Sequence, residues 1–129
     1  MNLKSVSCIA IILLGVNFIS CTKAGTGGKV ELVVTPKHHS MGVPDAMVYI
    51  KYNTQDFPGE DVSKYDDSGR VVLISGSSPN IHFKNIRKGN YFIYSVGYDS
   101  TIFEMVMGGV PEKVTVKSGE VDVDVAVTH

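Results

Sequence analysis

The stretch that most constrains this chain is Val121-Asp122-Val123-Asp124-Val125-Ala126-Val127-Thr128. Valine recurs at every second position, with Asp122, Asp124, Ala126 and Thr128 between. Side chains of an extended strand point alternately to opposite faces, so this pattern sets one apolar face on a core and leaves the other in water. A helix would spread the same valines around its circumference and restrict their χ1 angles. A lone strand is not stable in water, so the rest of the chain must supply partners.

It does. Val30, Leu32 and Val34 alternate with Glu31, Val33 and Thr35; Ala46, Val48, Ile50 and Tyr52 with Met47, Tyr49 and Lys51; Val114 and Val116 with Lys113, Thr115 and Lys117. Less regular strand candidates cover 70–75, 80–85, 91–98 and 102–107. From Cys21 onward there are 17 valines, 6 isoleucines and 7 threonines against 2 leucines and 3 alanines, a bias toward strand formers. Asp67-Ser68-Gly69, Arg87-Lys88-Gly89-Asn90, Gly108-Gly109 and Lys117-Ser118-Gly119-Glu120 read as turns. The expectation is an all-β fold, a seven- to eight-stranded antiparallel β-sandwich with one long loop at 53–68.

Residues 1–20 read as a signal peptide. Lys4 supplies a positive start, and Val6 to Ile19 is apolar except for Ser7, Gly15 and Asn17. That run is shorter than the ~20 apolar residues of a membrane span and suits a signal h-region. Its ending, Phe18-Ile19-Ser20-Cys21, resembles the bacterial lipobox. The resemblance makes 1–20 a lipoprotein signal peptide and Cys21 the lipidated first residue of the mature chain. The alternatives are an ordinary secretory signal and an N-terminal anchor helix. Acylation by more than one chain gives stable membrane attachment. With Cys8 in the discarded segment and Cys21 lipidated, no thiol remains for a disulfide, a metal or catalysis. The glycine-rich 22–28 segment reads as a flexible tether, so 21–28 is lipidated cysteine plus tether and 29–129 the sandwich domain. No acidic residue precedes Glu31. The signal for export to the outer cell surface resembles an acidic run just after the lipidated cysteine, so the resemblance implies a location in the bacterial envelope, on the outer membrane facing the periplasm.

Three motifs follow one another in the domain: Gly42-Val43-Pro44-Asp45-Ala46-Met47-Val48-Tyr49-Ile50; Asp67-Ser68-Gly69-Arg70-Val71; and Phe83-Lys84-Asn85-Ile86-Arg87-Lys88-Gly89-Asn90-Tyr91-Phe92-Ile93. Together they resemble the carboxypeptidase regulatory-domain-like group, a transthyretin-like (prealbumin-like) and Ig-like sandwich, over about residues 29–128. The resemblance implies that Tyr91 plugs the sandwich and bonds back to the backbone. It also implies that Phe83, Ile86 and Ile93 fill the core and that Ala46 stays small where the sheets approach. All these roles are structural, and a fold of this kind does not dictate function.

Chemistry-bearing patterns are sparse. Charge is balanced at 12 Lys+Arg against 13 Asp+Glu, which gives no basic footprint for nucleic acid. None of the serines sits in a G-x-S-x-G elbow. The transthyretin-like hydrolase of purine breakdown closes on a tyrosine-arginine-glycine-serine tail, where this chain has Val125-Ala126-Val127-Thr128-His129. The expectation is a non-enzymatic protein without cofactor. His38 and His39 are adjacent in a loop and are the candidates for a metal, with His82 or Asp45 as further donors, although no H-x₃-H or C-x₂-C spacing supports tight zinc binding. Glu60-Asp61 and Asp66-Asp67 lack the order of a calcium loop.

Strand parity suggests where function lies. With Ala46, Val48 and Ile50 inward, Met47 and Tyr49 face out. With Tyr91 and Ile93 inward, Phe92, Tyr94, Val96 and Tyr98 face out. In transthyretin-like sandwiches the two matching strands are neighbours. Met47, Tyr49, Phe92, Tyr94 and Tyr98 would then form one aromatic face for a protein partner or a second copy. The competing expectation is that the 53–68 loop, with Phe57 and Tyr65, folds over it. The reading is thus a lipid-anchored accessory or protein-binding module. The alternative is a lipoprotein that takes glycan or metal at the 38–45 and 53–68 loops.

Overall fold

A computed structural model describes residues 23–129 and shows an all-β sandwich of eight strands. The strands are β1 (Thr26–His38), β2 (Met41–Gly42), β3 (Met47–Tyr52), β4 (Asp67–Arg70), β5 (Ile81–Ile86), β6 (Gly89–Asp99), β7 (Glu104–Val114) and β8 (Ser118–Ala126). In the first sheet β1 is central: β2 and β5 pair antiparallel with it, and β8 pairs with its other edge. The second sheet runs β4-β3-β6-β7, antiparallel throughout.

Between the sheets lies one core. Val30, Leu32 and Val34 of β1 meet Val48 and Ile50 of β3, Tyr91 and Ile93 of β6, Val106 of β7, and Val123 and Val125 of β8. The alternations read at 30–35, 46–52 and 121–127 therefore point as expected, whereas that at 113–117 fails, because the strand ends at Val114 and Val116 is exposed. Tyr91 is fully buried and its hydroxyl donates to Arg87 O at 2.6 Å, while Gly25 N–H donates to that same hydroxyl at 2.8 Å. The three-residue spacing of Phe83 and Ile86, both buried, breaks strand parity. Asn85, with φ of 60°, absorbs the extra residue, so that Leu32 and Val30 of β1 oppose Phe83 and Ile86.

Several expectations are corrected. The sandwich is not wholly antiparallel: β8 runs parallel to β1 from Lys29↔Ser118 to Lys37↔Ala126. The stretch 24–28 is not tether. Ala24 is buried, β1 begins at Thr26, and Gly27-Gly28 form a bulge in which Ile86 pairs with both Thr26 and Val30. A Cβ on Gly28 would lie 2.2 Å from Ile86 O, so glycine here serves close approach rather than flexibility.

Gly108-Gly109 is not a turn but the middle of β7, and the segments at 102–107 and 113–117 are largely one strand up to Val114. The chain leaving β8 crosses β7 at this point: Met107 and Thr128 exchange backbone hydrogen bonds at 2.8 and 2.9 Å. A Cβ on Gly108 would fall 2.0 Å from Ala126 O. Asp67-Ser68-Gly69 is likewise strand, β4, because the edge of β3 offers it backbone partners from Met47 to Ile50. The apolar Val72-Leu73-Ile74 run, expected as strand, lies exposed beyond β4, with only a Val72↔Asn80 bridge.

A partly covered aromatic face and an open groove

The outer faces of the two sheets differ in kind. The first carries charge, with Lys37 paired to Asp124 at 2.8 Å and His82 to Glu31 at 2.6 Å. The second is mainly apolar, with Lys51 and Arg70 among its aromatic and methionine side chains. Pairing of β3 with β6 sets Tyr49 opposite Tyr94 and Met47 opposite Val96; pairing of β6 with β7 sets Tyr98 opposite Met105.

The five residues expected to share one exposed face do share a sheet face, but not one exposure. Phe92 and Tyr94 are buried, at 6% and 3%, Met47 and Tyr49 are half-buried, and Tyr98 is 50% exposed. The cover is the loop between β3 and β4. Phe57 lies 5.6 Å from Phe92 and 5.5 Å from Tyr94, and Tyr65 stacks on Tyr94 at 5.8 Å, ring centre to ring centre. An exposed aromatic patch including Phe92 and Tyr94 is thereby corrected. Burying large rings outweighs leaving them in water once the loop brings apolar partners.

Local bonds tie this loop down. Tyr65 Oη donates to Gly59 O at 2.8 Å, and Asp66 Oδ2 accepts from Tyr52 N at 2.7 Å. Asp61 caps a 3₁₀ turn at Val62–Lys64 by accepting from Ser63 N–H and Oγ–H, which holds its carboxyl below its ordinary range. Burial beside Tyr94 pushes the Tyr65 hydroxyl up to about 12, and burial raises Tyr94 as well. Asp61 and Asp66 are thus engaged in a cap and a strand contact.

Beyond the loop the face stays open. A groove of about 490 Å³ is lined by Met47, Tyr49, Val96, Tyr98 and Met105, with Arg70 and Asp45 at its margin. Arg70 and Met105 were not legible as site residues. In the sequence Arg70 follows a D-S-G stretch that predicts a turn, and Met105 stands in a segment that predicts a strand ending at a glycine pair.

His82 is not a neighbour of His38: it lies on the outer face of the first sheet with Glu31. His38 and His39 end β1 and start its turn into β2, and the ring of His129 comes to 5.8 Å from that of His38. Among the described residues no group of three or more His, Cys, Asp or Glu side chains is placed to hold a metal ion as the side chains stand.

The class this geometry defines is a β-sandwich domain of two mostly antiparallel sheets, one outer face charged and the other mainly apolar. No family model matches the chain, and no curated protein or solved structure shows significant similarity to it. Cys21, the residue expected to be lipidated, lies outside the described residues, and no described helix is long and apolar enough to cross a membrane.

Proposed function

We propose that this chain is a non-enzymatic, lipid-anchored protein-binding module of the bacterial envelope. In this proposal its domain is a transthyretin-like sandwich and its partner surface is the open groove of the second sheet. The observation that carries the reading is the incomplete cover of the aromatic face. The loop buries Phe92 and Tyr94 but leaves Tyr98 at 50% and Met105 at 52% exposed beside Met47 and Tyr49. Methionine, tyrosine and arginine are types enriched where proteins meet. The fold-family assignment rests on the order of the three sequence motifs, the buried Tyr91 and the adjacency of β3 and β6.

Topology supports an outward-facing groove. The chain enters the domain where Gly25 meets Tyr91 and where Arg87 N–H donates to Gly25 O at 2.8 Å. Tyr98 lies at the other end of β6, a strand of 11 residues. At about 3.3 Å per residue, an anchor at Cys21 would leave the groove turned away from the membrane that holds it.

Two measurements test the proposal. Cys21→Ala should abolish incorporation of a fatty-acid label and partition into the detergent phase; an unmutated protein found in the aqueous phase overturns the anchor. A photo-crosslinking residue at Tyr98 should capture one discrete envelope protein in whole cells, while the same residue at Asp122, on the charged sheet, captures none. Equal capture at both positions, or none at Tyr98, overturns the groove. A glycan reading of the same groove rests on Tyr98 beside Asp45 and Arg70, and glycan-dependent loss of the Tyr98 crosslink would select it.

A further inference from the structure

At the end of the sandwich remote from Gly25, an imidazole is held in an unusual way. His38 is 4% exposed, and its Nδ1 lies 2.7 Å from Asp99 Oδ2. The other oxygen of Asp99, Oδ1, accepts from the Thr101 hydroxyl at 2.6 Å and from Thr101 N–H at 2.8 Å. With Asp99 as the acceptor of this network, the Nδ1–H of His38 donates to it. In the neutral ring Nε2 is then a bare lone pair. This Nε2 is buried and has no hydrogen-bond partner.

Two more imidazoles flank the ring: His39 at 4.2 Å and His129 at 5.8 Å between ring centres, the latter edge to face. We propose that His38, His39 and His129 form a site for a divalent transition metal of the imidazole-preferring class, copper(II) or zinc(II), with Asp99 as the carboxylate that positions His38.

Three features support it. A histidine that ligates a metal through one nitrogen nearly always donates its other N–H to a carboxylate or carbonyl, which fixes its tautomer and raises its basicity. The Asp99–His38 pair has that form, with Nε2 left free. Metal–nitrogen bonds of about 2.0–2.1 Å place two imidazoles on one tetrahedral ion with ring centres roughly 5 Å apart. The two separations here lie on either side of that value. Imidazole nitrogens, without a thiolate or several carboxylates, select copper, nickel or zinc over calcium and magnesium.

The three rings do not yet aim at one point. His39 and His129 are exposed and their rotamers exchange within nanoseconds, so closure requires that they turn toward His38 and that its buried Nε2 be uncovered to the ion. His39 and Ser40 both have positive φ, 47° and 71°, in a two-residue hairpin turn whose usual occupants are asparagine and glycine. From the other side, Val127 N–H donates to Lys37 O at 2.9 Å and brings the segment carrying His129 to this turn.

The test titrates the tag-free full chain, in detergent and in a Cys8→Ser, Cys21→Ser background that removes thiol competition, with copper(II) and with zinc(II) separately. The expected result is one ion per chain, a sub-micromolar Kd for copper(II), and nitrogen hyperfine structure in its electron paramagnetic resonance spectrum. His39→Ala and His129→Ala alter exposed side chains and should keep the far-ultraviolet circular dichroism. Each should weaken binding roughly tenfold or more, and Asp99→Asn by ~10–100-fold. His82→Ala, whose ring faces the opposite side with Glu31, should change nothing. Binding only in the millimolar range, or an affinity that survives His39→Ala with His129→Ala, overturns the site.

Discussion

Tyr91→Ala is expected to destabilise the domain by ~3–5 kcal/mol, the range for emptying a large aromatic site in a packed core. Tyr91 is completely buried, touches Tyr52 edge to face at 5.8 Å between ring centres, and ends in a hydroxyl that joins the backbone at Gly25 to that at Arg87. That hydroxyl donates to Arg87 O at 2.6 Å and accepts from Gly25 N at 2.8 Å. Removing the side chain opens a void between the sheets and leaves the entry of β1 without its fastening. Tyr91→Phe separates the two effects. It keeps the ring and strands the Gly25 N–H and Arg87 carbonyl, at about 1–3 kcal/mol. Tyr98→Ala, at a half-exposed position, should cost much less than either. Chemical denaturation measures all three. A near-neutral Tyr91→Ala would contradict the packing of β6, and equal losses for Tyr91→Phe and Tyr91→Ala would assign the whole effect to the hydroxyl.

Gly108→Val should be comparably damaging. The ideal Cβ position at Gly108 is 2.0 Å from Ala126 O and 3.1 Å from Val127 Cα, both backbone atoms that no rotamer change can move aside. Overpacking typically costs ~1–3 kcal/mol, and a clash with backbone belongs at or above the top of that range. The crossing of the chain over β7 would have to open, with loss of the Met107–Thr128 hydrogen bonds and displacement of Val127 from the core. For a domain of this size 1 kcal/mol corresponds to roughly 4–8 °C in Tm, so thermal unfolding should fall by more than roughly 10 °C. Gly119→Val is the comparison: no atom lies within 4 Å of a Cβ there, and only the positive φ of 97° opposes it. If Gly108→Val melted like the parent, β8 and the segment after it would not cross β7 as described.

The same crossing links stability to the proposed metal site, because His129 follows directly on Thr128. A variant that frees this segment from β7 should lose metal affinity along with stability. His39→Ala should lose affinity alone.

Much of this architecture was legible in the chain. Alternation is local: each residue of an extended strand faces opposite to its neighbours, so Val30, Leu32, Val34, Val48, Ile50, Val123 and Val125 announced their buried face wherever the strands paired. Tyr91 was legible through its motif. Glycines misled, because a glycine marks either a turn or a close approach of backbones. Only the partner strand tells which, as at Gly28 beside Ile86 O and Gly108 beside Ala126 O. The aromatic face was half legible. Parity placed Tyr49, Phe92, Tyr94 and Tyr98 on one side of the sheet, but parity carries no information about a loop that folds across it.

What the sequence by itself determined is an all-β chain with known inward and outward residues, since these follow from side-chain type and a period of two. Tertiary structure alone decided three things. It set β8 parallel to β1, divided the aromatic face into a covered half and an open groove, and brought His129 to a histidine 91 positions earlier in the chain. The physical reason is common to all three. Pairing between distant segments is selected by the summed burial of whole faces and by which backbone edges find hydrogen-bond partners, and no local window of residues contains that sum.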